Sequence, residues 1–192
     1  MKKILIIITL FLSNISNIYA EDIKRIIVGN KGAKITVIAF ESLTCSHCAN
    51  FHKNVYPKLK KEYIDTGLAK IEFRHFPLDI AAFNASKVSQ CNNNGDSKIL
   101  NSLFENQQKW VKGNTVKEAN ANLQKFLISE GFDIDFEKCI NDKEIEDFVL
   151  NDRIDGTKNF KINSTPTIII NNKKFEKTLN YKNLKKALEK LI

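Results

Sequence analysis

Two cysteines separated by two residues, Cys45-Ser46-His47-Cys48, are the side chains of this protein best suited to do chemistry. A thiolate is both a nucleophile and a leaving group, so two thiols three positions apart can close on each other and reopen by exchange. The same quartet admits two plainer readings. It could be a purely structural disulfide. It could also be half of a zinc site, with Cys48 and His52 on one helix face and Cys45 as a third ligand. Where the quartet sits in the fold separates these readings.

The run before it, Lys34-Ile35-Thr36-Val37-Ile38-Ala39-Phe40, is nearly all apolar and β-branched, and predicts a strand over Ile35–Phe40 buried on both faces. After it, Cys48, Phe51, Val55 and Leu59 recur at helical spacing. They predict a helix from Cys45 or Ser46 to Tyr63, kinked at Pro57 because proline removes a backbone donor and crowds the carbonyl of Lys53. Cys45 then lies where a strand hands over to a helix. The first helical turn carries unpaired N–H groups and a partial positive charge, which stabilise a thiolate. That placement favours redox chemistry. In it Cys45 is the nucleophile and Cys48 the buried resolving thiol. His47 adds a second donor, or a positive charge, beside the Cys45 thiolate and so favours the reduced form.

The rest of the chain supplies the frame. Ile26-Ile27-Val28 reads as a short edge strand, and residues 69–76 alternate as a second strand that Pro77 stops. A strand–helix–strand unit of this length implies parallel strands with a right-handed crossover. Residues 79–160 read as helices only. Asp79 caps one that reaches Cys91, and Asp96 caps the next, with Leu100, Leu103, Phe104, Trp110 and Val111 on its core face. Thr115 with Glu118 forms a capping box ahead of Val116, Leu123 and Phe126. A short helix holds Phe136 and Cys139, and a longer one carries Ile145, Phe148, Val149 and Ile154 towards Gly156. Strands return at 166–170 and 173–176 around an Asn171-Asn172 turn, and an amphipathic helix over Tyr181–Ile192 closes the chain. The expected fold class is α/β: βαβ, then ββα, with an all-helical insertion. Residues 21–78 and 161–192 form one domain and residues 79–160 the insertion.

Residues 1–20 are set apart. Lys2-Lys3, the apolar run Ile4 to Leu12 and the ending Ile18-Tyr19-Ala20 read as a signal peptide cleaved after Ala20. The protein is then expected to be exported, where disulfides persist. All four cysteines follow the leader, so the count is even. Cys91 and Cys139, 48 residues apart, read as a structural disulfide, with two buried free thiols as the alternative. The net charge is +8, or +6 without Lys2 and Lys3, and the basic residues are interspersed with acids. No arginine-rich patch or nucleic-acid motif is present, so a solvated surface is expected and no nucleic-acid partner.

Three stretches carry a family resemblance: Glu41-Ser42-Leu43-Thr44-Cys45-Ser46-His47-Cys48-Ala49-Asn50-Phe51-His52, Phe73-Arg74-His75-Phe76-Pro77-Leu78-Asp79 and Ser164-Thr165-Pro166-Thr167. Together they resemble the DsbA-type thiol:disulfide interchange proteins of bacteria, over essentially the whole chain after the leader. The resemblance implies a thioredoxin fold with an inserted helical domain. It implies that Cys45 and Cys48 are the catalytic pair. It also implies that Pro166 is a cis proline facing that pair, although proline at a strand start is ordinarily trans, and that Thr165 tunes the site and contacts substrate. It implies a periplasmic monomer without cofactor or metal, acting on reduced exported proteins and reoxidised by a quinone-linked membrane partner. A Cys91–Cys139 bridge is similar to one carried by some members. Two positions depart from the family pattern: Ser46 stands where proline is common, and Ala39 stands where many members place an acid, six residues before the first cysteine. Glu41 comes four before it, and the family acid's role is not assigned to it. A disulfide reductase or isomerase on the same fold, and a non-enzymatic metal-binding protein, are the rival readings.

Overall fold

Strand β2, Ile35–Glu41, lies at the centre of a five-stranded mixed sheet of order β1-β3-β2-β4-β5. The computed structural model describes residues 23–91 and 95–192. The leader expected over 1–20 lies outside the described residues. β1 is Ile27–Gly29 and β3 is Ala69–His75. β4 is Thr167–Ile170, and β5 is the two-residue strand Lys173–Lys174. β2 runs parallel to β3, in register Val37↔Ile71 and Ala39↔Phe73, and antiparallel to β4. As the apolar run predicts, β2 is buried on both faces. Val37 and Ala39 pack into the main core with Cys48, Phe51 and Leu59. Ile38 and Phe40 pack into a second core with Phe76, Ile162 and Ile169.

Helix α1, Ser46–Asn54, follows β2. The expected single helix to Tyr63 is three pieces: α1, α2 (Tyr56–Leu59) and a π-helical turn, Lys60–Ile64. The break falls at Val55, two residues ahead of the expected kink. Proline fits the first turn of a helix, so the chain restarts there with Pro57 inside the new first turn.

Between β3 and β4 the described elements are helices: α3 (Ile80–Gln90), α4 (Lys98–Glu105), α5 (Gln107–Trp110), α6 (Val116–Ser129), α7 (Phe136–Asn141) and α8 (Lys143–Phe160). The cap signals act as read. Asp79 accepts from Ala82 N–H, and the Thr115/Glu118 capping box is complete. The helix expected from Asp96 through Val111 is split at Asn106, whose φ of −112° and ψ of 23° leave the helical region. The turn swings Trp110 inward, where its indole N–H donates to the Leu103 carbonyl at 2.8 Å, and leaves Val111 exposed. Val116 is exposed too, since the capped end of α6 lies at the surface.

On α8 the buried stripe is Ile145, Val149, Asp152 and Gly156, and Ile154 faces out. Three contacts fix this rotation. Asp152 accepts from Arg25 at 2.6 Å and from the His75 backbone N–H at 3.0 Å, and Gly156 lies against the Phe40 ring. Asn171 and Asn172 make the expected two-residue turn, both at positive φ. The closing helix α9, Tyr181–Leu188, ends before Leu191 and Ile192, which are exposed. Among the described residues no helix is long and apolar enough to cross a membrane.

Candidate active site

Cys45 occupies the N-cap position of α1 in extended conformation, and its side chain does not cap the helix. The sulfur is therefore free to take the helix N-terminus as its own environment. Cys48, one turn on, is fully buried, whereas Cys45 is partly exposed; both are free thiols. The loop carrying Cys45 is tied down from several sides. Cys45 N–H donates to Ser42 O at 3.0 Å, and Phe76 N–H donates to Glu41 O at 2.7 Å. Thr44 donates its hydroxyl proton to Asp79 at 2.6 Å. From the helical segment, the Gln107 amide donates to Leu43 O at 2.7 Å and Cys45 O at 3.1 Å.

Opposite the pair stands the Thr165–Pro166 bond, which is cis. The Cys45 thiol donates to the Thr165 carbonyl at 3.3 Å. The Thr165 hydroxyl is buried without a hydrogen-bond partner, and the Thr165 side chain is among the groups that lower the Cys45 pKa. One residue thus meets the sulfur twice: its carbonyl accepts from the thiol, and its side chain favours the thiolate.

The electrostatics divide the pair. The Cys45 pKa is lowered from an ordinary 9.0 to about 5. The largest cause is the hydrogen bond from the Cys48 thiol. Burial opposes it, and the Thr165 side chain and the backbone N–H groups of Cys48 and His47 add to the lowering. Cys48 is pushed strongly up, first by burial, then by its bond to Cys45 and by the charge of Glu41. The sequence reading expects the His47 side chain to act on the thiolate. In the structure its backbone N–H does so, while the exposed side chain lines a 250 Å³ groove with Asn50, Phe51, Thr165, Pro166 and Leu179.

Cys91 and Cys139 are joined as a disulfide between α3 and α7, in the helical segment. They take no part in the Cys45 surroundings described above. Among the described residues no group of three His, Cys, Asp or Glu side chains could hold a metal ion, and His52 Nε2 is bonded to Glu41 at 2.9 Å.

Sequence reasoning missed Glu41 and Gln107 as parts of this site, and read His52 only as a ligand. Glu41 had a legible signal. It is a charge at the end of a strand buried on both faces, two residues from Ala39 and so on the same face of the pleat. Burial raises its pKa above the usual carboxylate range, with His52 opposing. Gln107 had no signal, because its role depends on where α5 packs.

A dithiol with one activated and one buried thiol, at the start of the first helix of a βαβ unit and opposite a cis proline, defines a thioredoxin-fold dithiol protein. A family model described as Thioredoxin matches residues 21–190. The crystal structure of Wolbachia pipientis alpha-DsbA1 superposes with a TM-score of 0.75 and 32% identity, covering 87% of this chain and 90% of that one. The Bacillus subtilis BdbD structure gives 0.71 and 25%, covering 86% and 91%. Among curated relatives, disulfide bond formation protein D of Bacillus subtilis is 26% identical over 181 residues, 85% of this chain and 75% of that protein. A Rickettsia bellii relative whose name includes the words protein-disulfide oxidoreductase is 27% identical over 175 residues, 89% of this chain and 66% of its own length. The chain spans two thirds or less of the Rickettsia relatives it matches. It belongs to the thioredoxin family, in the DsbA-type branch.

Proposed function

We propose that this protein is an exported, periplasmic dithiol oxidase that forms disulfides in newly secreted proteins through Cys45 and Cys48. The observation that carries this reading is the lowering of the Cys45 pKa to about 5. A thiolate stabilised in the reduced protein makes the disulfide form the higher in free energy, and hence an oxidant. The low pKa also makes Cys45 a good leaving group.

In the forward direction a substrate thiolate attacks the Cys45 sulfur of the Cys45–Cys48 disulfide. The S–S bond breaks, and the electron pair leaves on Cys48. A second substrate thiolate then attacks the substrate sulfur of the mixed disulfide and expels Cys45 as a thiolate. Two electrons pass from substrate to enzyme, and the substrate keeps a new disulfide. The groove between His47 and Pro166, next to the Cys45–Thr165 contact, is the place for the substrate chain, with His47, Asn50 and Thr165 as polar groups along its wall. The helical segment from 79 to 160 acts as an inserted domain that holds the Cys45 loop through Gln107 and Asp79. By family resemblance a quinone-linked membrane protein removes the electrons, and the enzyme works as a monomer.

The test is oxidation of a reduced exported protein by the preoxidised enzyme. Wild type should transfer its disulfide and the Cys45→Ser variant should not; retained activity in that variant sinks the reading. A measured Cys45–Cys48 potential as low as about −270 mV, where thioredoxin works as a reductant, would turn the direction around.

A further inference from the structure

A cysteine inside a polypeptide has chain on both sides of it, so a substrate that reaches Cys45 brings two flanks. The groove at Pro166 takes one of them. A second groove, of 690 Å³, opens on the other side of α1, between it and the turn from α4 to α5. Ser46, Asn50 and Lys53 form its α1 wall, and Glu105, Gln108 and Val111 its far wall. Ser46, Asn50 and Lys53 are spaced by four and three residues, which puts them on one face of the helix. Asn50 lines both grooves, so the two meet over the exposed edge of α1 that follows Cys45.

Two amide side chains of the second groove are half used. The Asn50 carbonyl oxygen accepts from Asn54 at 2.6 Å, which leaves the Asn50 NH2 to donate. Gln107, also in the lining, donates through its NH2 to Leu43 O at 2.7 Å and to Cys45 O at 3.1 Å. That leaves the Gln107 carbonyl oxygen to accept. A donor on one wall and an acceptor on the other match the C=O and N–H of a peptide unit, whatever its side chain. Phe104 and Val111 add apolar surface. Lys53 and Glu105 put one charge of each sign on the walls, so the groove does not select a charged ligand.

We propose that the groove between α1 and α5 is a second subsite for the substrate polypeptide. It holds, through main-chain hydrogen bonds, the flank that the Pro166 groove does not. The proposal rests on the exchange reading above and deepens it. The ligand is extended main chain, because a segment already in a helix or sheet has spent its N–H and C=O groups on itself. Asn50 donates to a carbonyl of the flank, and Gln107 accepts from one of its N–H groups. Gln107 also registers the flank to the reacting atom, because the same side chain grips Cys45 O from its other end. The substrate then crosses the edge of α1 with its cysteine over Cys45 and one flank in each groove.

The experiment uses single-cysteine peptides held as mixed disulfides with nitrothiobenzoate. The Cys45 thiolate of the reduced protein attacks the peptide sulfur and bonds to it. Nitrothiobenzoate, the better leaving group, departs with the electron pair and is read by its absorbance. The peptides carry about four extra residues before the cysteine, after it, or on neither side, about 13 Å of extended chain. In wild type each one-sided extension should speed release by about tenfold, close to what one good hydrogen bond contributes. Gln108→Trp, at an exposed position, fills the groove. It should abolish the gain of one extension, keep that of the other, and leave the reaction with dithiobis-nitrobenzoate at its wild-type rate. Scrambling the affected flank should keep its wild-type gain, and N-methylation of its amides should remove it. No gain in wild type overturns the subsite, as does a Gln108→Trp variant that keeps both gains or loses both. A gain that depends on side-chain order, or survives N-methylation, overturns the main-chain pairing. A wild-type dimer that Gln108→Trp turns into a monomer with both gains intact gives the groove to a second copy of this chain and overturns the proposal. If wild type releases nothing from any peptide or from dithiobis-nitrobenzoate, the exchange reading itself fails, which is a different result from these.

Discussion

The Cys45 thiol donates to the carbonyl of Thr165 at 3.3 Å, joining residues 120 positions apart across the two halves of the thioredoxin unit. This contact sets the reactive sulfur between a helix N-terminus and a strand end. It also ties the chemistry of the pair to groups that can be changed one at a time.

Cys45 should titrate near pH 5 when thiolate absorbance or alkylation rate is followed in the reduced protein. The sign of the stability effect follows. The folded pKa lies below the unfolded value of about 8.5, so the thiolate stabilises the folded, reduced protein above that pH. The gain declines as pH falls and is gone below about 5. The oxidised protein has no such group. Urea unfolding at pH 8 should therefore show the reduced form as the more stable, with the gap narrowing towards pH 5. A gap that does not narrow means the thiolate is not its cause.

Removing the Cys48 thiol should move the Cys45 pKa up. The Cys48 S–H bond is the largest cause of the lowering, so Cys48→Ala should shift the titration further than Thr165→Val, which removes only the smaller hydroxyl contribution. Thr165→Val keeps the carbonyl contact and the shape. Titration of the two variants side by side checks the order, and the reverse order would show that the threonine dominates.

The Cys91–Cys139 disulfide closes a loop of 48 residues within the helical segment. Loop-closure entropy gives it at most about 4 kcal/mol. Cys91→Ser/Cys139→Ser should lower the urea midpoint accordingly while leaving the first step of the Cys45 reaction at its wild-type rate. A changed Cys45 rate would mean the bridge reaches the site through the packing of α3.

Gly156→Ala should destabilise the protein, although alanine is the better helix former. A Cβ at 156 would meet Phe40 Cε1 at 2.9 Å and Cδ1 at 3.1 Å, and that ring is fully buried in the second core. Helix propensity returns up to about 1 kcal/mol, while forcing an extra methyl into a packed core costs about 1–3 kcal/mol. Thermal unfolding should show a net loss of about 1 kcal/mol; a gain would mean the Phe40 ring can move aside.

Much of this molecule was legible in its sequence because the relevant physics is local. The caps at Asp79 and Thr115 are hydrogen bonds made within three residues, so residue type alone announces them. The apolar run before Cys45 and the helical spacing after Cys48 fix the strand-to-helix junction, and with it the quartet's position at a helix start. The nearly unbroken apolar and β-branched character of that run also marks β2 as buried on both faces. The same local rules misplaced what depends on rotation and packing. The rotation of α8 was not legible: it turns so that Asp152 meets Arg25 and His75, and Ile154 faces out. Val111 was expected inside, but the chain breaks at Asn106 so that Trp110 can reach Leu103.

What the sequence by itself determined is the pair and its setting: two thiols three apart, at the first turn of a helix, after a buried strand. What only the tertiary structure decided is the company they keep. Thr165 from β4's approach, Gln107 from α5, and Glu41 facing His52 across β2 and α1 are brought together by sheet register and helix docking. Those are set by the sum of many weak contacts over the whole chain, and no stretch of sequence encodes any one of them alone.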